Sequence, residues 1–377
     1  MAKTVAFGIG CFHFGIKKKA PFDFQGEWYL QELEKAFRSI ASVENFSLNG
    51  QQQLRDDAYR IEEDPRPIGD GPNYRPYWHN MGIELDLHIP QRVQSELTSK
   101  AGRIETFTER FKVHIYQEYY SPLAIVELIE PSGAPSPSDG VIVVRELLVR
   151  EFEKMTDTQL RFDVLGPSPF HADFFVELAE DARADFESGF GLVRDRSPGY
   201  DVLTFYADST VFDGIEDAKE AVYAVLSREL GVFYWLAQIR AGEMEEWEAV
   251  EDATRRLVSS ESPEGKWDAL VRFAKARGLI ANAYRSLLEY EGLVIENDDD
   301  CYRRIAELYE SGEKGWLQED VLRASKERYK RPVQQRMTFV TFVESRRVQR
   351  GQNFVVLVSA ILGGAVGSIL TLILARR

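Results

Sequence analysis

The chain has 377 residues and a net charge of −15. Residues 330–377 hold eight basic and one acidic residue, a net of +7, which leaves −22 for residues 1–329. Counterion release cannot drive nucleic-acid binding by so acidic a head, so nucleic acid is excluded as a partner. The two cysteines, Cys11 and Cys301, are neither a disulfide framework nor a zinc-ligand set, and they suit a reducing compartment.

In chain order, residues 1–213 read as an α+β head, a mostly antiparallel sheet with flanking helices. "TVAFGIGCF" predicts a strand. "EWYLQELEKAFRSI" predicts a helix with Leu30, Leu33, Phe37 and Ile40 on one face. The proline-rich "EEDPRPIGDGPNYRPYWHN" reads as loop. "GIELDLHIP" alternates strictly and predicts a strand. "ERFKVHIYQEYYSPLAIVELIEP" predicts two strands joined at Ser121-Pro122. The Pro/Ser/Gly stretch at 130–140 is a candidate subdomain break. The helix after it carries Val144, Leu147, Leu148, Phe152 and Met155 at helical spacing. "QLRFDVLG", "HADFFVELAE" and "DVLTFYAD" are further candidate strands.

Residues 214–332 read as a helical domain. Asp217 to about Val258 is helical by pattern, with Gly231 and Gly242 as candidate breaks, and a second helix or pair ends at Gly292. Leu230–Ile239 is strongly apolar but, at ten residues, too short to cross a bilayer, and it reads as a buried helix. "ENDDDC", 296–301, reads as a helix N-terminus whose aspartates complement the dipole.

The C-terminus carries the strongest signal. Residues 333–352 form a basic juxtamembrane stalk in which Arg346, Arg347 and Arg350 are placed for anionic lipid. Asn353 to Ala375 is uncharged over 23 residues, 13 of them Leu, Ile, Val or Phe. As a helix this covers about 35 Å, against a hydrocarbon core of about 30 Å. The expectation is one transmembrane helix at 353–375. The N-terminus lacks a secretory signal, so the bulk of the chain is expected in the cytoplasm with the lipid bilayer as a partner. Ser359, Gly363, Gly367 and Thr371 recur every fourth residue with Gly364 beside them, a small-residue face suited to close helix packing and a homo-oligomer.

The sharpest candidate for chemistry is "ELDLH". Alternation puts Glu84, Asp86 and His88 on one strand face, where two carboxylates and an imidazole can hold a divalent metal; the plainer reading is the polar side of a half-buried strand. If the next strand pairs with this one, His114 approaches His88. Cys11 and His13 lie two apart on a strand, which packing alone explains. No phosphate-binding loop, Gly-x-Ser-x-Gly elbow or His-Glu-x-x-His helix is present, and no cofactor is expected.

In layout alone, the chain resembles magnesium channels of the CorA type. It lacks their Gly-Met-Asn signature and second membrane helix, and nothing is carried over. Two functions follow as expectations. In the first, the head senses or binds a ligand or protein and signals through a self-associating membrane helix, as an effector or an oligomeric pore. In the second, the chain is a membrane-tethered enzyme, metal-dependent through Glu84, Asp86 and His88 or with its site elsewhere in the head.

Overall fold

The computed structural model describes residues 4–17, 26–49, 60–64, 73–77, 81–99, 104, 106–118, 121–164, 170–179, 189–197, 200–261, 266–310, 315–326 and 331–374, with side chains for most of them. These fall into two compact units, Met1–Gln238 with Arg304–Lys326, and Ile239–Arg303 with Glu327–Arg377.

Among the described residues, the first unit holds twelve strands. An eight-stranded sheet runs β11-β12-β10-β1-β8-β7-β6-β3, and a four-stranded sheet runs β4-β5-β2-β9. Its strands are β1 (Thr4–Gly10), β2 (Phe12–Ile16), β3 (Val43–Asn49), β4 (Arg60–Asp64), β5 (Asn73–Tyr77), β6 (Met81–His88), β7 (Arg110–Glu118), β8 (Ser121–Leu128), β9 (Leu160–Val164), β10 (Ala172–Ala179), β11 (Phe190–Ser197) and β12 (Tyr200–Asp208). Among the described residues, β10 and β12 pair in parallel and the other ladders are antiparallel. The chain leaves one sheet and enters the other at Cys11, between β1 and β2. Strands β7 and β8 pair antiparallel with Glu118 opposite Ser121, so the expected junction at Ser121-Pro122 lies within β8.

Each face of the larger sheet has its own core. On one face, α1 (Gly26–Ser39) and α3 (Pro137–Lys154) pack on Ile83, Leu85, Val113 and Val126. Helix α1 buries Tyr29, Leu33, Ala36 and Phe37, followed by Ile40; Leu30 is only partly buried. The tight fit of α3 is visible at Gly8, where an added Cβ would lie 2.5 Å from the Pro137 carbonyl oxygen. On the other face, the first half of α4 (Ile215–Glu261) lays Ala218, Val222, Leu226 and Leu230 on Phe7, Ile125, Phe174 and Phe205. Tyr234, Trp235, Leu236 and Ile239 are buried, as the apolar segment from Leu230 requires.

The long helices ignore their glycines. Helix α4 runs 47 residues through Gly231 and Gly242, and α5 (Lys266–Leu308) runs 43 through Gly278 and Gly292. The 296–301 segment therefore lies inside α5 and does not start a helix. In the second unit, Trp247, Val250 and Leu257 of α4 meet Ile280, Ala283, Leu287 and Tyr290 of α5, and Val340 and Val343 of α7 (Val333–Leu374). The short helices are α2 (Gln91–Leu97) and α6 (Gln318–Lys326).

The expected transmembrane helix is corrected. Among the described residues, no helix is long and apolar enough to cross a membrane. Helix α7 is continuous, but its first half carries Arg336, Glu344, Arg346, Arg347 and Arg350. The apolar side chains described after these run from Val355 to Val366. The membrane anchor and the membrane location drawn from it fall together. The side chains of Gly367 and Thr371, the far end of the small-residue face, lie outside those described. Ser359, Gly363 and Gly364 are exposed on α7, and an added Cβ at Gly363 or Gly364 would meet nothing within 4 Å.

Candidate functional site

Strand β6 places Glu84, Asp86 and His88 on the sheet face away from α3, while Ile83, Leu85, Leu87 and Ile89 are buried on the other side. The register then separates the three polar residues. Asp86 accepts a 2.8 Å hydrogen bond from Asn45 Nδ2 on β3. Glu84 lies opposite His114 on β7, with Oε1 3.8 Å from His114 Nδ1. His88 lies opposite Arg110, and its Nε2 is 3.4 Å from Glu109 Oε2. His114 is thus paired with Glu84 and does not approach His88. Among the described residues, no group of three or more His, Cys, Asp or Glu side chains is placed to hold a metal ion.

At the His88 end of this face the structure opens a groove of about 650 Å³, lined by residues that include His88, Phe107, Glu109, Arg110 and Glu130. Its wall is held by a buried amide. Gln94, on α2, donates to the carbonyls of Ile89 (2.7 Å) and Thr108 (2.8 Å) and accepts from the Thr106 hydroxyl (2.7 Å). Gln91 donates its backbone N–H to Glu109 Oε1 (2.8 Å) and its side-chain amide to Thr108 O (2.9 Å). That backbone bond, more than the neighbouring His88, holds the Glu109 carboxyl below the usual carboxylate range.

Two residues of the groove sit in the left-handed region without being glycine: Phe107 at φ 54° and Glu130 at φ 49°. Each such residue costs on the order of 1–3 kcal/mol, and surrounding structure must hold it there. Here that structure is explicit. The Phe107 carbonyl accepts from Ser132 N (2.8 Å) and Ser132 Oγ (3.1 Å), and Thr108 Oγ1 donates to Ile129 O (2.6 Å). Beside them the exposed Arg110 guanidinium has no carboxylate within ion-pair distance among the described residues.

Further along the same face, the polar groups become buried under α4. Lys219 Nζ lies 3.2 Å from Glu127 Oε2, with the two side chains 5% and 6% exposed, and the Tyr223 hydroxyl donates to Glu127 at 3.3 Å. Burial raises the Glu127 carboxyl, and Lys219 opposes the rise. Burial alone would lower Lys219, but Glu127 and Glu216 outweigh it and hold the ammonium above its ordinary value. The His114 ring sits edge-on to Tyr223, 5.4 Å between centroids, and its Nε2 is buried with no hydrogen-bond partner. Burial first, then Lys112 and Lys219, push His114 down to about 4.

Of the Cys11–His13 pair, His13 is engaged by β9. His13 is buried with Nδ1 3.1 Å from Asp163 Oδ2 on β9, and Arg161 Nε reaches Asp163 Oδ1 at 2.9 Å. Sequence reasoning missed the groove and the Glu127–Lys219 pair. A lone glutamate inside the apolar "LAIVEL" was the available signal for the pair, since a buried carboxylate demands a partner.

Comparison with family models, with curated proteins and with solved structures finds no match for this chain.

Proposed function

We propose that this chain is a ligand- or protein-binding module that acts as a homo-oligomer. The sheet-rich unit binds its ligand in the groove beside β6 and β7, and the terminal helix joins copies. The observation that carries the reading is the apolar surface of α7. Val355, Val356, Leu357, Ile361, Leu362 and Val366 are each more than half exposed. A protein that works alone rarely leaves so continuous an apolar surface open. For the binding half, the support is the groove itself: a strained, hydrogen-bonded wall around an exposed guanidinium. Arg110 suits an anionic group, and Phe107 offers a ring face next to it.

The test has two arms. Sedimentation of the full chain over a hundredfold concentration range should show mass action, and Val356→Asp with Ile361→Asp should leave a monomer. Thermal-shift titration with citrate and with inorganic phosphate should raise the melting temperature of the wild type and not of Arg110→Ala. A monomeric wild type defeats the assembly half; identical titrations in both proteins defeat the groove. A second reading, an enzyme with its site in the sheet unit, draws on the same strained wall, since such strain gathers at catalytic sites as well. Turnover lost in Arg110→Ala while ligand binding persists would favour it.

A further inference from the structure

Helix α5 carries a second unpartnered apolar row. Leu288, Ile295 and Tyr302 recur every seven residues and are 60, 64 and 81% exposed. Seven residues are nearly two turns, so the three share one line along the helix. Between the ends of that line the charge is acidic: residues 288–302, "LEYEGLVIENDDDCY", hold six acidic residues and no basic one, with Arg285 and Arg303 flanking them.

Helix α7 carries the counterpart. Val348, Val355 and Leu362 also recur every seven residues and are 54, 62 and 60% exposed. Residues 346–362, "RRVQRGQNFVVLVSAIL", hold three arginines and no acidic residue. This row is distinct from the one that α7 already buries through Val340 and Val343.

Building on the self-association proposed above, we infer that α7 of one copy docks on the Leu288–Tyr302 row of α5 in the next. Two heptad rows of three apolar residues match in period, so one can lie in the other along a shallow helix crossing. The acidic surround of one faces the basic surround of the other, and this selects α5 against α7 over either row against itself. Because each copy offers one row of each kind, the contact is either made twice in a reciprocal two-fold pair or once, head to tail. The head-to-tail form propagates copy to copy and closes into a ring or grows as a filament. The second copy of this chain is the occupant that the charges specify.

Charge reversal tests this on the full chain. One variant carries Glu296→Lys and Asp299→Lys on α5; the other carries Arg346→Glu and Arg350→Glu on α7. Each alone should weaken assembly at least tenfold by sedimentation, with helix content unchanged by circular dichroism. Mixed in equal amounts, the two should associate again as one-to-one pairs, because the unaltered α7 row of the first variant meets the unaltered α5 row of the second. Assembly should also weaken as salt rises from 50 to 500 mM. If the α5 variant assembles like the wild type, copies join through α7 alone and the inference is overturned while self-association stands. If both single variants weaken but the mixture does not recover, the rows do not meet each other and the inference again fails. A wild type that stays monomeric throughout removes the self-association on which it rests.

Discussion

The two faces of the eight-stranded sheet are both closed by helices, but by different physics. Under α3, closure is by shape. The helix start rests on the backbone of β1 at Gly8, and the side chains beneath are apolar. The polar need at that helix start is met locally, by the Asp173 carboxylate accepting the Ser138 N–H at 2.8 Å. Under α4, an apolar half built on Phe7, Phe174 and Phe205 gives way to the Glu127–Lys219–Tyr223 cluster and then to the open polar face of β6 and β7. A face closed by shape fails when volume is added. A face closed by paired charges fails when one partner is removed.

The largest effect should follow from breaking the charge pair. Lys219→Met leaves Glu127 buried without its cation and should cost about 3–5 kcal/mol in chemical denaturation. Adding Glu127→Leu and Tyr223→Phe removes the stranded groups and should recover most of the loss. If Lys219→Met alone costs less than about 1 kcal/mol, water reaches the pair and the contrast between the faces is lost.

Next comes pH. His114 is pushed from 6.5 down to about 4 by burial, with Lys112 and Lys219 adding to the effect and Asp86 opposing it. The folded pKa is depressed, so the contribution is fully present above 6.5. It is lost as pH falls from 6.5 to 4, where the unfolded chain takes up a proton that the folded chain refuses, and it is flat below. The amplitude is on the order of 3 kcal/mol. Glu127, Asp173 and Glu229 are raised and act in the opposite sense, but they are common to wild type and His114→Phe and cancel in the difference. Equal pH slopes in the two proteins would show a hydrated His114.

On the α3 face, Gly8→Ala inserts a methyl group where Pro137 O and Val141 Cγ2 stand at 2.5 and 2.6 Å. The helix start must lift, at a cost of about 1–3 kcal/mol. A neutral result in thermal denaturation would mean that α3 shifts freely on the sheet.

What was legible in the sequence follows the same division. Alternation in "GIELDLHIP" correctly gave the buried and polar sides of β6, because period two is a backbone property. The partners of Glu84, Asp86 and His88 were not legible. They depend on register with β3 and β7, and Glu109 and the strained Phe107 come from a segment with no repeating pattern. The Glu127–Lys219 pair spans 92 positions and leaves no local trace beyond one charge in an apolar strand. Strands β4 and β5 were hidden by the prolines and glycines that made 62–80 look like loop. The terminal segment misled because hydropathy summed over 353–375 weighed composition alone. The structure shows one continuous helix shared between an arginine-bearing half and an exposed apolar run, and among the described residues no helix is long and apolar enough to cross a membrane.

The smallest effect is the sharpest foil to Gly8. By sequence Gly231 is a candidate helix break, yet α4 runs straight through it. A glycine inside a helix costs about 0.5–1 kcal/mol relative to alanine, chiefly through the backbone entropy it surrenders on folding. Helix α4 absorbs that cost because Leu226, Leu230 and Tyr234 hold the adjacent turns in the core. A Cβ added at Gly231 would meet nothing within 4 Å, so no packing penalty offsets the gain. Gly231→Ala should therefore stabilise the chain by about 0.5–1 kcal/mol, where the same substitution at Gly8 destabilises it. Opposite signs for one chemical change, measured side by side in urea, separate a glycine that the packing requires from one that the helix merely tolerates. If Gly231→Ala destabilises, something covers that position in the working protein, and the open side of α4 is itself a contact surface.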